Sequence, residues 1–144
     1  MDNHLLVDVK LAEGVKLTAY KDTKGFWTVG YGHFLDQSKD WTSYTITQIK
    51  ANWYLESDLS EAATLCAELS EWRYLDTPCR QNAVIELVFN MGKEKWEDFT
   101  HTRRAIEAQN WQEAHDQLLD SEWAKEVGKT RSERLATYLL KGEY

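Results

Sequence analysis

The 144-residue sequence has little of what interrupts, crosslinks or buries a chain in a membrane. It contains one proline and two cysteines, and no apolar run exceeds four residues. No stretch rich in Ser, Gly and Pro divides it, and neither repeats nor low-complexity tracts occur, so a single domain is expected. The short apolar runs exclude a bilayer-spanning helix. The opening MDNHLLVDVKLAEG lacks a basic segment leading into an apolar core, so no secretory signal is expected. Cys66 and Cys79 are too few for a disulfide framework, and a reduced chain is the simpler reading. His4, His33, His101 and His115 show no metal-ligand spacing with the cysteines, so no structural zinc is expected. An excess of positive charge is also missing. Seventeen basic against 24 acidic residues leave a net charge of -7, which disfavours a nucleic-acid-binding domain.

What remains has globular proportions, with 42% hydrophobic and 28% charged residues. A chain of this length buries about two thirds of the surface that it exposes when unfolded. Leu5, Val9 and Ala12 fall on one helical face with Leu6 beside them. Asp2 or Asn3 can cap the start of this helix, and Gly14 stands where a left-handed terminator is wanted. Glu13 is thereby placed in the last turn. The pattern then changes. Leu17-Thr18-Ala19-Tyr20 and Phe26-Trp27-Thr28-Val29 flank Asp22-Thr23-Lys24-Gly25, which reads as a hairpin. Gly30 and Gly32 predict tight or irregular backbone after it.

Helical signals resume at Thr45, where Thr45 with Gln48 fits a capping box and Tyr44 with Ile49 a hydrophobic staple. Leu55, Leu59, Ala62, Cys66 and Leu69 then mark one long amphipathic helix. Thr77-Pro78 predicts a capped start, followed by an almost wholly apolar helix that Gly92 ends. Asn110 with Glu113 and Thr130 with Glu133 look like two further caps, and Gly142 like a last terminator. Trp53, Trp72, Trp111 and Trp123 occur at helical spacing and are expected to pack inside. Trp27 is expected to face away from its neighbour Thr28. Cys66 should pack as a small hydrophobe. The fold class is α+β and mostly helical, with a small β lobe and a larger helical lobe.

The richest stretch for chemistry runs from Glu13 to His33. It places a carboxyl at a helix end, a second at a hairpin tip and a hydroxyl on the returning strand. Two carboxyls held apart are what glycoside hydrolysis needs, one to protonate the departing oxygen and one to serve the water. Acidic residues at helix ends and in turns are common, so spacing alone does not decide the chemistry.

The sequence of these residues is more telling. Glu13, Asp22 and Thr28, followed by Gly30-Tyr31-Gly32-His33, closely resemble the Glu/Asp/Thr motif of T-even phage lysozymes, a glycoside hydrolase family of phage endolysins. The likeness continues in order through Phe89-Asn90-Met91-Gly92, Asn110 to Ala114, Ser121-Glu122-Trp123, Arg131 and Arg134. It implies a two-lobed lysozyme-like fold within 1–144, with a β lobe about 13–58 and a helical lobe about 1–12 plus 59–144. It further implies Glu13 as general acid, with Asp22 and Thr28 activating water for inversion. Arg131 corresponds to an arginine paired with the catalytic Glu, and His33 to a histidine paired with an aspartate, here Asp58. Phe34, Phe89, Thr102 and Gln117 correspond to positions that touch the glycan, although Phe34, Thr102 and Gln117 differ in type from the T-even residues. The segment between His33 and Asp58 is shorter than in T-even lysozymes, and the acidic charge is opposite to theirs.

The function implied is that of a muramidase cutting the β-1,4 bond between N-acetylmuramic acid and N-acetylglucosamine, for host cell lysis. Its partner would be peptidoglycan glycan strands, with no nucleic acid, no membrane insertion and no cofactor. A monomer is expected in the host cytoplasm, needing a holin to reach the periplasmic wall. A non-catalytic glycan-binding or virion structural module is the alternative, and an acidic mimic of nucleic acid a more distant one. The presence of all three of Glu13, Asp22 and Thr28 argues against both.

Overall fold

The structure is a computed structural model that describes residues 3–144. Its elements run α1 (Asn3–Glu13), β1 (Lys16–Lys21), β2 (Trp27–Gly30), β3 (His33–Phe34), α2 (Gln48–Cys66), a 3-10 turn (Trp72–Tyr74), α3 (Pro78–Met91), α4 (Lys93–Glu97), α5 (Thr100–Glu107), α6 (Trp111–Leu119), α7 (Glu122–Val127) and α8 (Lys129–Lys141). This is the mostly helical α+β class that the sequence predicts. Two compact units are formed by residues 1–61 and 62–144, and the boundary falls within α2.

In the first unit, α1 buries Leu5 and Val9, whereas Ala12 is exposed, contrary to the expected face. The proposed Asp2 cap lies outside the described residues, and Asn3 is already helical. Gly14 ends α1 at φ +67°, its N–H donating to Lys10 O at 3.0 Å. The sheet is antiparallel in the order β1-β2-β3. Tyr20 pairs with Thr28 and Lys21 with Trp27, and on the other edge Thr28 pairs with Phe34 and Val29 with His33. Two-residue β3 has no periodicity to read, so the sequence suggested only irregular backbone there. The Gln37 side chain lengthens this edge by accepting from Trp27 N–H at 2.6 Å and donating to Trp27 O at 2.9 Å.

The expected cap at Thr45 is not the one used. Thr47 caps α2, its hydroxyl accepting from Lys50 N–H at 3.1 Å. Thr45 instead bridges to Thr18 of β1, and Ile49 is 81% exposed, so it forms no staple. The amphipathic stripe holds, with Leu55, Leu59, Ala62, Cys66 and Leu69 all buried, the last just beyond the end of α2.

In the second unit, Thr77 caps α3 through Arg80 N–H at 3.2 Å, with Pro78 in the first turn and Gly92 at the end. Asn110 caps α6 as expected, while Ser121 caps α7 without having been foreseen. The Thr130 cap is absent: α8 begins at Lys129, which leaves Thr130 inside the helix. Of the four tryptophans expected inside, Trp123 is buried, Trp72 and Trp111 are half-buried and Trp53 is exposed. Lys50 covers Trp53 from 5.3 Å, while Trp111 lies beneath the Arg80 guanidinium at 3.9 Å.

Two buried carboxylates organise these helices. Glu71 accepts from Trp96 Nε1 at 2.8 Å and, two-pronged, from Arg103 at 2.9 and 3.0 Å. Glu86 of α3 accepts from Arg131 Nε at 2.9 Å and from both terminal nitrogens of Arg134 at 2.9 and 2.8 Å, which ties α3 to α8. Removing one partner of such a buried pair strands the other's charge, at a cost of about 3–5 kcal/mol. Glu86→Ala should therefore lower unfolding stability by about that amount in urea titration; a loss under about 1 kcal/mol would contradict this role.

Cys66 is fully buried, and burial, followed by the charge of Glu71, pushes its thiol up to about 12. A protonated, inaccessible thiol is a poor nucleophile. In the native protein Cys66 should resist iodoacetamide at pH 8, as read by peptide mapping, and react only as fast as the chain opens. Rapid native labelling would show that the helix does not enclose it.

Candidate active site

The site in the first unit is assembled by short-range chemistry. Glu13 is the last residue of α1, half-buried, and its carboxylate lies against Gly32 in the loop between β2 and β3. A Cβ at Gly32 would come within 3.4 Å of Glu13 Oε2, and φ there is +77°. A side chain at this position would be strained and would crowd the carboxylate. Gly32, one of the two glycines that the sequence marked as irregular backbone, therefore gives the acid its space.

Asp22 is fixed by the turn it creates. Its Oδ1 accepts from Lys24 N–H and Phe26 N–H, both at 2.9 Å, while its own N–H donates to Phe26 O at 2.9 Å. Side-chain bonding to the backbone a few residues on is why Asp suits such turns. Oδ2 accepts no hydrogen bond among the described residues. Thr28, buried on β2, donates its hydroxyl to Phe26 O at 2.9 Å. With its proton so used, the oxygen keeps its lone pairs as acceptors.

Tyr20 is the residue that sequence reading missed. It is the cross-strand partner of Thr28 and precedes Asp22 by two residues. Burial, and after it the negative charges of Glu13 and then Asp22, hold its phenol above the ordinary 10.0. Tyr20 therefore stays neutral within the field of both carboxylates. Strand alternation was the available signal, since residues two apart share a face. Trp27 takes the opposite face with Lys21, whose ammonium stands 5.3 Å from its ring centre.

His33 and Asp58 are brought together, Nδ1 to Oδ2 at 2.8 Å. The imidazole also stacks on Tyr54 at 3.9 Å between ring centres, so β3 is pinned to α2 by a polar and an aromatic contact. Phe34 is 61% exposed beside Thr28 in the sheet.

The remaining residues singled out from the sequence lie in the second unit. Thr102 and Gln117 line one cavity of about 350 Å³, together with Phe99, Ser121 and Trp123. Thr102 is itself almost wholly buried. Phe89 is half-buried near the end of α3 and is not part of that lining. Beside it, Asn90 Oδ1 accepts from Trp123 Nε1 at 2.7 Å. Arg131 is oriented by Glu86, a buried acid that the apolar pattern of α3 did not reveal.

The chain is similar to known proteins. The probable T4-type lysozyme 1 of Dictyostelium discoideum is 28% identical over 159 residues, covering 93% of this chain and 92% of its own. The endolysin of Salmonella phage P22 is 32% identical over 116 residues, covering 77% of this chain and 75% of its own. An endolysin of Acyrthosiphon pisum secondary endosymbiont phage 1 is 34% identical over 90 residues, covering 60% and 56%. The phage lysozyme family pattern matches residues 10–137. That match runs from within α1 to within α8 and takes in both units, and the chain belongs to the phage lysozyme family.

Proposed function

We propose that the chain hydrolyses the β-1,4 bond between N-acetylmuramic acid and N-acetylglucosamine with inversion, using Glu13 as acid and Asp22 with Thr28 to hold the water. Membership of the phage lysozyme family makes it a lysozyme, a glycosidase acting on peptidoglycan, and its relatives in phages are endolysins. The mechanistic part rests on one observation. Asp22 Oδ1 is committed to two backbone N–H groups and the Thr28 proton to a carbonyl, so Asp22 Oδ2 and the Thr28 oxygen are left as acceptors.

A water that donates one proton to each of these acceptors has a lone pair directed away from both. Glu13 protonates the glycosidic oxygen as the bond from the anomeric carbon breaks. The water oxygen bonds to that carbon from the opposite face, and its proton passes to Asp22. Exchange with solvent then returns a proton to Glu13 and removes one from Asp22. Nothing in this sequence calls for a metal or an organic cofactor. Inverting enzymes hold their two carboxyls roughly 6.5–9.5 Å apart, which leaves room for the water. Arg131, held by Glu86, belongs with the supporting residues, as do His33 and Asp58. Phe34, Phe89, Thr102 and Gln117 are glycan contacts in this reading.

The protein acts as a monomer, gathers in the host cytoplasm and reaches the periplasmic wall through a holin. No helix among the described residues is long and apolar enough to cross a membrane. The alternative, a non-catalytic glycan-binding or virion module, has no use for a carboxylate and a hydroxyl both fixed with spare acceptors.

Purified peptidoglycan incubated with the wild-type chain should gain new reducing ends at muramic acid. Glu13→Gln keeps the shape but not the transferable proton, and should lower the rate by about 10²–10⁴-fold with the fold intact. A folded Glu13→Gln protein with near wild-type turnover would contradict the assignment.

A further inference from the structure

Two phenylalanines beside the turn stand largely in solvent. Phe26 and Phe34 leave 44% and 61% of their surfaces exposed. They touch each other, ring centres 5.8 Å apart and planes inclined at 47°. Their placement ties them to the reacting groups. Phe26 donates its N–H to Asp22 Oδ1 and accepts the Thr28 hydroxyl proton at its carbonyl. Phe34 is the direct cross-strand partner of Thr28. Cross-strand partners share a face, so the Phe34 ring stands on the face that carries Thr28, and Phe26, one residue before β2, joins it there through the ring contact. The other exposed apolar side chains differ. Val7, Leu11, Val15 and Ile49 are aliphatic, Tyr144 is bonded to Asn82 and packed on Tyr138, and Trp53 carries the Lys50 ammonium 5.3 Å from its ring centre.

We infer that Phe26 and Phe34 form a stacking platform for a pyranose ring of the substrate glycan next to the scissile bond, with Phe26 as a further substrate-binding residue. This rests on the hydrolase reading above. The C–H face of a β-linked pyranose is flat, apolar and slightly positive, which suits the negative face of an aromatic ring. Two rings inclined to each other make a shallow cradle rather than a single plate. Phe34 falls at a position for which the family resemblance already implies glycan contact, whereas nothing so far gives Phe26 a role beyond its backbone. A stacked sugar is bound alike in the ground and transition states, so the platform acts chiefly on KM.

The test uses soluble glycan strands freed of their peptides. Binding is followed by NMR titration of the Glu13→Gln protein, and turnover with Glu13 present. Phe26→Ser should weaken binding and raise KM by about tenfold, with a smaller change in kcat, and Phe26→Tyr should restore both. Phe26 takes part in the turn through its backbone N–H and carbonyl alone, so the folding transition of Phe26→Ser should stay near that of the wild type. Binding of Phe26→Ser within twofold of the parent would overturn the platform. So would a fall in kcat at unchanged KM, because that points to a disturbed Asp22 and Thr28. Glycan that binds in a Phe26-dependent way to a wild-type chain unable to cleave it would uphold the platform and sink the hydrolase reading.

Discussion

The site in the first unit depends on one small ring of hydrogen bonds, the turn that Asp22 closes on Phe26. A single carboxylate oxygen receives two backbone N–H groups, and the residue that closes the turn also receives the Thr28 hydroxyl proton. Both bonds to Asp22 run at 2.9 Å from a backbone N–H to a carboxylate oxygen, a kind of bond stronger than a neutral one. They fix which oxygen of Asp22 stays available, and the Thr28 bond fixes which way that hydroxyl points. The turn, the Thr28 hydroxyl and the aromatic pair are therefore tied together through Phe26. Such preorganisation means that no reorientation is needed at the moment of reaction.

Glu13 is held by different means. It ends a helix rather than a turn, and it keeps its space because Gly32 has no side chain. Tyr20, neutral within the field of both acids, is the cross-strand partner of Thr28. In the second unit the buried acids do no chemistry in this scheme. Glu71 gathers donors from α4 and α5, and Glu86 ties α3 to two arginines of α8.

Much of this was legible in the sequence wherever the determining interaction is local. The Asp-Gly turn, the Thr77-Pro78 start, the Asn110 cap and the glycine stops are decided within four residues, and all appear where they were read. The failures share a cause. Thr45 and Thr47 are equally good caps, and the choice falls to Thr47 because Thr45 is recruited across the chain by Thr18. Thr130 loses its cap because α8 starts two residues after α7 ends, directly from Gly128. Trp53 follows the helical period yet stands outside, where Lys50 lies over its ring. In the site, the acids and the hydroxyl were legible as residue types at a known spacing. The spare lone pairs, the place of Tyr20 and the pairing of Phe26 with Phe34 are not, because each depends on register.

The central claim is that water, held by Asp22 and Thr28, attacks the sugar directly. Proton NMR of the first-formed product from wild-type enzyme, recorded before mutarotation, tests it most directly. Direct attack on a β-linked substrate predicts an initial α-configured reducing end. An initial β product would mean retention through a covalent sugar, and would contradict the assignment of Asp22 and Thr28 to the water.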